Sequence, residues 1–308
     1  MITYERVNIQ GDVDDIARGG HASVVHRGRL FVVMGYGADW EYRGDMHWTH
    51  DCIRWHRQSI SVDSKGNAIL PRSGFTLTSH NGKVYLIGGW SGSQGHNHVY
   101  VSEDMFRWVK LPDASWRARS LHAAASFNGK LWVMGGTISG VGNTNEVWWS
   151  EDGVSWVQEA DIPGGARFGH RCIVFNNRMF VVGGRIGSDW MSDVWYTVNG
   201  RDWVRMESNA NFSGRAYFTL TVIGRKQPKP QLLITGGLLT VGPDTYSSEV
   251  WHSGEGNNWY QGESLPIVGG INDHTVHYFN NRVVVVGGLS TVFNPNVYIG
   301  TDKMFGGR

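Results

Sequence analysis

Only two of the 308 residues are cysteine and only eight are proline. Cys52 and Cys172 fall in different contexts, so no disulfide framework is implied, and Cys/His zinc spacing is missing. No run approaches the ~18 apolar residues of a membrane span, and the opening MITYERVNIQ does not read as a signal peptide. Nowhere do apolar residues recur at i, i+3, i+4 and i+7 over a sustained window, which removes amphipathic helices as the organising element. The formal net charge is +1, which gives no reason to expect nucleic acid or an anionic membrane as partner. The compartment stays open.

What the chain has in quantity is glycine (42) and tryptophan (15). That balance suits many short strands joined by glycine turns, and the expected class is all-β. Aligning on a glycine pair gives six copies of one unit, marked by Gly35, Gly88-Gly89, Gly135-Gly136, Gly183-Gly184, Gly236-Gly237 and Gly287-Gly288. Periods of about 50 residues are the mark of repeat architectures built from one supersecondary unit. Within a unit, a first strand such as His122–Phe127 meets a tight turn, Asn128-Gly129, suited to a hairpin. A second strand follows that is apolar on both faces (Leu131–Met134, Met179–Val182, Val283–Val286), as a strand covered on both sides should be. The third strand carries Val99-Tyr100, Val147-Trp148, Val194-Trp195, Val250-Trp251 and Val297-Tyr298. It runs into a polar turn that ends on Trp55, Trp108, Trp156, Trp203 or Trp259. Short polar side chains there are expected to bond the turn's backbone.

These features resemble the kelch-repeat family, in the manner of the galactose oxidase central domain, with six copies over nearly the whole chain. The resemblance implies a six-bladed β-propeller of four-stranded blades (strands a to d from the inside out), with residues 1–308 as a single domain. The polar turn also looks like a shortened sialidase Asp box, a structural element. The sixth copy has no fourth strand after Gly300–Phe305, whereas Tyr4–Val7 matches Trp203–Met206 in register. The N-terminal strand is therefore expected to complete the last blade and leave no free edge there.

In such a topology the a–b and c–d turns lie on one face, and the longer b–c and d–a loops lie on the other. Functional residues tend to sit on loops over a rigid scaffold, so the long-loop face and the channel mouth are the candidate site. Two rings enter strand a: Arg18, Arg72, Arg119, Arg167 and Arg215, with Ile271 in the sixth copy; and His21, Phe75, His122, His170, Phe218 and His274. Arginines there would fork onto a carboxylate or phosphate, or would brace the blades by pairing with nearby Asp15, Asp113 or Asp161. The b–c loops add Trp40, Glu41, Arg43, Trp90, His96, His98, Arg185, Asp189 and Trp190. Aromatic rings beside charged hydrogen-bonders suit sugar faces and protein hot spots alike. Arg43-Gly44-Asp45 reads as a chance tripeptide.

The expected function is recognition of a glycan or protein partner through this face, in a bacterial or viral surface assembly. One alternative is a sugar-modifying enzyme, similar to the sialic-acid mutarotase or to polysaccharide lyases, that uses the Arg/His-lined mouth with Glu41, His274 or Asp273 as acid/base. Another is a structural assembly subunit. The copper centre of galactose oxidase needs a Cys–Tyr crosslink, and neither cysteine neighbours such a cluster in the repeat. No cofactor or metal is expected.

Overall fold

A computed structural model describes residues 2–206, 211–224, 229–239 and 245–302. No helix occurs among them. The strands form six antiparallel sheets of four strands each, the first with an additional two-residue parallel strand at its edge (Gln10–Gly11). A small three-stranded sheet sits over the third. The innermost strands are Ala22–His26, Thr76–His80, Ala123–Phe127, Arg171–Phe175, Thr219–Ile223 and Thr275–Phe279. Each contacts the next, and the last contacts the first, so the six strands close a ring around a central channel. This is the all-β kelch-propeller fold.

The second strands form the bulk of the core because both of their faces are covered. Leu30–Val33, Val84–Ile87, Leu131–Met134 and Val283–Val286 are buried throughout. Ring closure follows the expected register. Ile2–Val7 pairs antiparallel with Val297–Asp302, and Tyr4 stands opposite Gly300 as Trp203 stands opposite Thr197 in the fourth sheet. The tail at 303–308 lies outside the described residues.

Each glycine pair faces two neighbours at once. A Cβ on Gly135 would meet the next sheet's His170 ring at 2.6 Å, and one on Gly136 would meet its own sheet's His122 Cβ at 2.8 Å. Both have positive φ, 63° and 96°, so a side chain is opposed by backbone and by packing together. The first copy is shifted by one residue from the sequence alignment. Gly35 takes the second position, and Met34 takes the first with φ 53° and a fully buried side chain. The polar turns repeat one set of bonds. Ser102 Oγ accepts from Met105 N at 2.8 Å, Asp104 Oδ1 accepts from Phe106 N and Arg107 N, and Trp108 Nε1 donates to Met105 O at 2.9 Å. Ser150–Trp156 and Thr49–Trp55 do the same, which makes this turn a structural unit.

Candidate functional site: the long-loop face and channel mouth

The five arginines of the ring are fully buried, which corrects the expectation that they line an open mouth. In every case Nη1 donates to the carbonyl at the first position of the glycine pair: Met34, Gly88, Gly135, Gly183 and Gly236, at 2.9–3.2 Å. Four also hold a carboxylate. Arg18 pairs with Asp45 at 2.9 Å, Arg167 with Asp193 at 2.9 Å, Arg215 with Glu249 at 2.5 Å, and Arg119 with Glu146. These acids stand immediately before strand c, and Trp148, Trp195 and Trp251 donate Nε1 to the same carboxylates. The acids near the arginines in sequence do other work. Asp15 offers Arg18 only its backbone carbonyl at 2.8 Å, Asp113 pairs with Lys110, and Asp161 is exposed. Burial pushes the carboxyls of Asp45, Glu146 and Glu249 up, but the arginine partners outweigh it and hold all three below the usual range.

The histidine ring is likewise interior. His274 Nε2 lies 2.8 Å from Thr235 Oγ1, and burial pushes its imidazole down to about 3. It packs between sheets and, with His21 and His122, also lines the channel cavity. Asp45 of the Arg43-Gly44-Asp45 tripeptide is buried between Arg18 and Arg57.

The channel rim is built by the residue two after each ring position: Gly20, Gly74, Leu121, Gly169, Tyr217 and Asp273. All six have φ between 50° and 64°. Their backbones chain from sheet to sheet: Gly74 N to Gly20 O, Leu121 N to Gly74 O, Gly169 N to Leu121 O, Tyr217 N to Gly169 O and Asp273 N to Tyr217 O, at 2.7–3.1 Å. Left-handed backbone costs a non-glycine residue on the order of 1 kcal/mol or more, so Leu121, Tyr217 and Asp273 are held there against a local penalty. At the seam between the sixth and first sheets, side chains make the link. Tyr36 Oη donates to Asp273 Oδ2 at 3.0 Å, His21 Nε2 meets Thr275 Oγ1 at 2.9 Å, and Ser23 Oγ meets His277 Nε2 at 2.5 Å. Burial pushes the Asp273 carboxyl up, against the pull of Arg171 and the Tyr36 hydroxyl. Below the rim lies a channel cavity of about 220 Å³ whose lining includes Arg171, Cys172, His277 and Ser23.

A family model described as the kelch motif matches residues 71–101 and 166–196. These two stretches are kelch repeats. A comparison with curated proteins returns no match. Kelch repeats generally mediate protein–protein interaction, and the fold is that of an interaction module. No helix among the described residues is long and apolar enough to cross a membrane. No group of three or more His, Cys, Asp or Glu side chains poised to hold a metal ion occurs among them either.

On the long-loop face of these kelch repeats, the b–c loops fall into three groups. Trp40 is 63% exposed, and it is the one tryptophan among the described residues with an open face. It stacks on Tyr36 at 5.4 Å and meets Phe293 edge-on at 5.5 Å, so the first and last repeats share one aromatic cluster. Glu41 is exposed beside it, and Arg43 is fixed by Asp39 at 2.9 Å and Asp15 at 3.5 Å. In the fourth repeat, Arg185 lies over the half-buried Trp190 at 5.2 Å, with Asp189 exposed at the hairpin tip. In the second, Trp90 is half-buried and bridges Ser73 and Gly95 through its backbone, His96 is buried and His98 half-buried. Sequence reasoning passed over Tyr36, Phe293, Arg171 and Tyr217. The available signal was the rim position, where Tyr217 and Asp273 stand in a column otherwise of glycines and one leucine.

Proposed function

We propose that residues 1–308 form one six-bladed propeller domain and that it is a recognition module, binding a protein partner through the face that carries the b–c and d–a loops. The Trp40 cluster carries this reading. A large aromatic side chain left mostly in water, held rigid by Tyr36 and Phe293 and flanked by Glu41 and the Asp39–Arg43 pair, has the composition of an interface anchor with a polar rim. The same face presents Arg185 over Trp190, a second rigid aromatic with a charged neighbour. The sugar-modifying alternative drew on the arginine ring and His274. The arginines are buried and four of the five hold a carboxylate, so it stands behind the recognition reading.

The test is affinity capture with wild type and Trp40→Ala, run beside a glycan array, with thermal melting as the folding check. A specific protein retained by wild type and weakened at least about tenfold by Trp40→Ala is the expected result, since central aromatic anchors are worth ~2 kcal/mol or more. Capture indifferent to Trp40 sinks the reading. Selective retention on the array in place of a protein moves the partner class to glycan. A pure protein that multimerises through Trp40 moves it to self-assembly.

A further inference from the structure

The arginine ring contains its own control. In four repeats a buried guanidinium is matched by a carboxylate from the position just before strand c: Asp45, Glu146, Asp193 and Glu249. In the second repeat that position is His98, and Arg72 is as deeply buried as the others. Arg72 Nε donates to Leu70 O at 2.9 Å and Nη1 to Gly88 O at 3.0 Å, the latter as in every other copy. Its Nη2 is buried and has no hydrogen-bond partner among the described residues. The same is true of His96 Nε2 and His98 Nδ1. The two imidazoles lie 4.7 Å apart, and both feel the Arg72 charge. Tyr100 takes the place held by Trp148, Trp195 and Trp251, with Arg72 5.6 Å from its ring centre.

A buried, permanently charged guanidinium without a counter-charge is expensive. Unpaired buried N–H groups add to that cost. Each imidazole can turn a tautomer so that the buried nitrogen donates, which gives, beside the Arg72 charge, buried donors with no carboxylate bonded to them; the Tyr100 hydroxyl is the one neutral side-chain partner at Arg72 among the described residues. We propose that Arg72, His96 and His98 form a binding site for a small carboxylate-sized anion, which completes in the second repeat the pairing that Asp or Glu supplies in four others. The half-buried His98 gives the route in. This site goes beyond the recognition surface at Trp40 and does not depend on it.

The experiment is thermal unfolding at constant ionic strength with sodium formate, acetate or chloride replacing gluconate, the bulkiest of the four anions. Wild type should melt higher, saturably, in formate, by roughly 3–6 °C at a hundredfold excess over Kd. His98→Glu restores the acid found in the third and fifth repeats. It should melt higher than wild type in gluconate and lose the formate response. Arg72→Met should lose the response as well, and it serves alone if His98→Glu fails to fold. Chloride matching formate would assign the site to anions generally, and formate and acetate alone would assign it to carboxylates. A wild-type melting point equal in all four salts would mean that water completes Arg72, and the proposal falls. A formate response that persists in His98→Glu and Arg72→Met is a general salt effect and overturns it too.

Discussion

Lowering the pH from 7 to 5 should remove a large part of this protein's stability through its buried histidines. Burial pushes the imidazoles of His21, His122 and His274 down to about 3, and that of His47 to about 4, with the neighbouring Arg18 or Arg119 adding to the effect at His21, His47 and His122. His170 is driven well below its ordinary value by the same burial, with Arg167 and Arg171 adding to it. In the unfolded chain each regains a value near 6.5. The unfolded state therefore binds more protons wherever the pH lies between the two values, so stability falls as pH falls through 6.5. At pH 5 each neutral, buried histidine costs about 2 kcal/mol relative to neutral pH. His21, His47, His122 and His274 together then cost about 8 kcal/mol, against the ~5–15 kcal/mol of a typical fold. The carboxyls of Asp45, Glu146 and Glu249, held low by their arginines, lose their contribution only below about 4. Asp273, pushed up by burial, acts in the opposite direction. Urea unfolding followed by tryptophan fluorescence at pH 7, 6 and 5 measures the slope. His122→Phe assigns it, because Phe75 and Phe218 already occupy this ring position in other repeats. The variant should fold and show a slope smaller by one proton. Stability constant to within about 1 kcal/mol between pH 7 and 5 would mean that these imidazoles charge in the folded state, and the reasoning would fail.

Arg167→Met should destabilise by about 3–5 kcal/mol in urea unfolding, because it leaves Asp193 buried and unpaired. Arg72→Met, measured the same way in gluconate, should cost far less, since no carboxylate is stranded there; equal losses would contradict the pairing scheme. Deleting residues 1–7 exposes the backbone edge of Val297–Asp302, which Ile2–Val7 now covers. The truncated protein should associate on size-exclusion chromatography, and a monomer of unchanged melting temperature would show that closure does not depend on this strand.

The fold was legible because it is periodic. Glycine pairs, apolar second strands and Trp-terminated turns recur often enough to define the unit. The match of Tyr4 with Trp203 marks the strand that closes the ring. The arginine ring was visible for the same reason, but its meaning was not. The acids that neutralise it lie on the far side of the b–c loop, 26 to 34 residues along the chain, whereas Asp15, Asp113 and Asp161, nearer in sequence, do not pair with the ring through their side chains. Had the position before strand c been read as a column (Asp45, His98, Glu146, Asp193, Glu249, Asn296), the pairing and its exception would both have been apparent. The Trp40 cluster was only half legible, because Phe293 reaches it from the opposite end of the chain.

That contrast gives a rule for reading a closed repeat array. Residues that obey the period are accounted for by what every copy must do: turn, close-pack against the next sheet, and fix a carbonyl with an arginine. Chemistry specific to this protein therefore has to reside where a copy departs from the column. The departures are few and sit together on one side of the molecule. Tyr217 and Asp273 hold left-handed backbone at a rim otherwise of glycines and Leu121. Trp40 stands in water while the other tryptophans are at least half covered. His98 replaces an acid beside a buried guanidinium. Each departure costs stability locally, through strain, exposed apolar surface or an unpaired charge. A cost that the periodic copies avoid at the same position is accounted for more simply by a ligand or partner that relieves it than by folding alone.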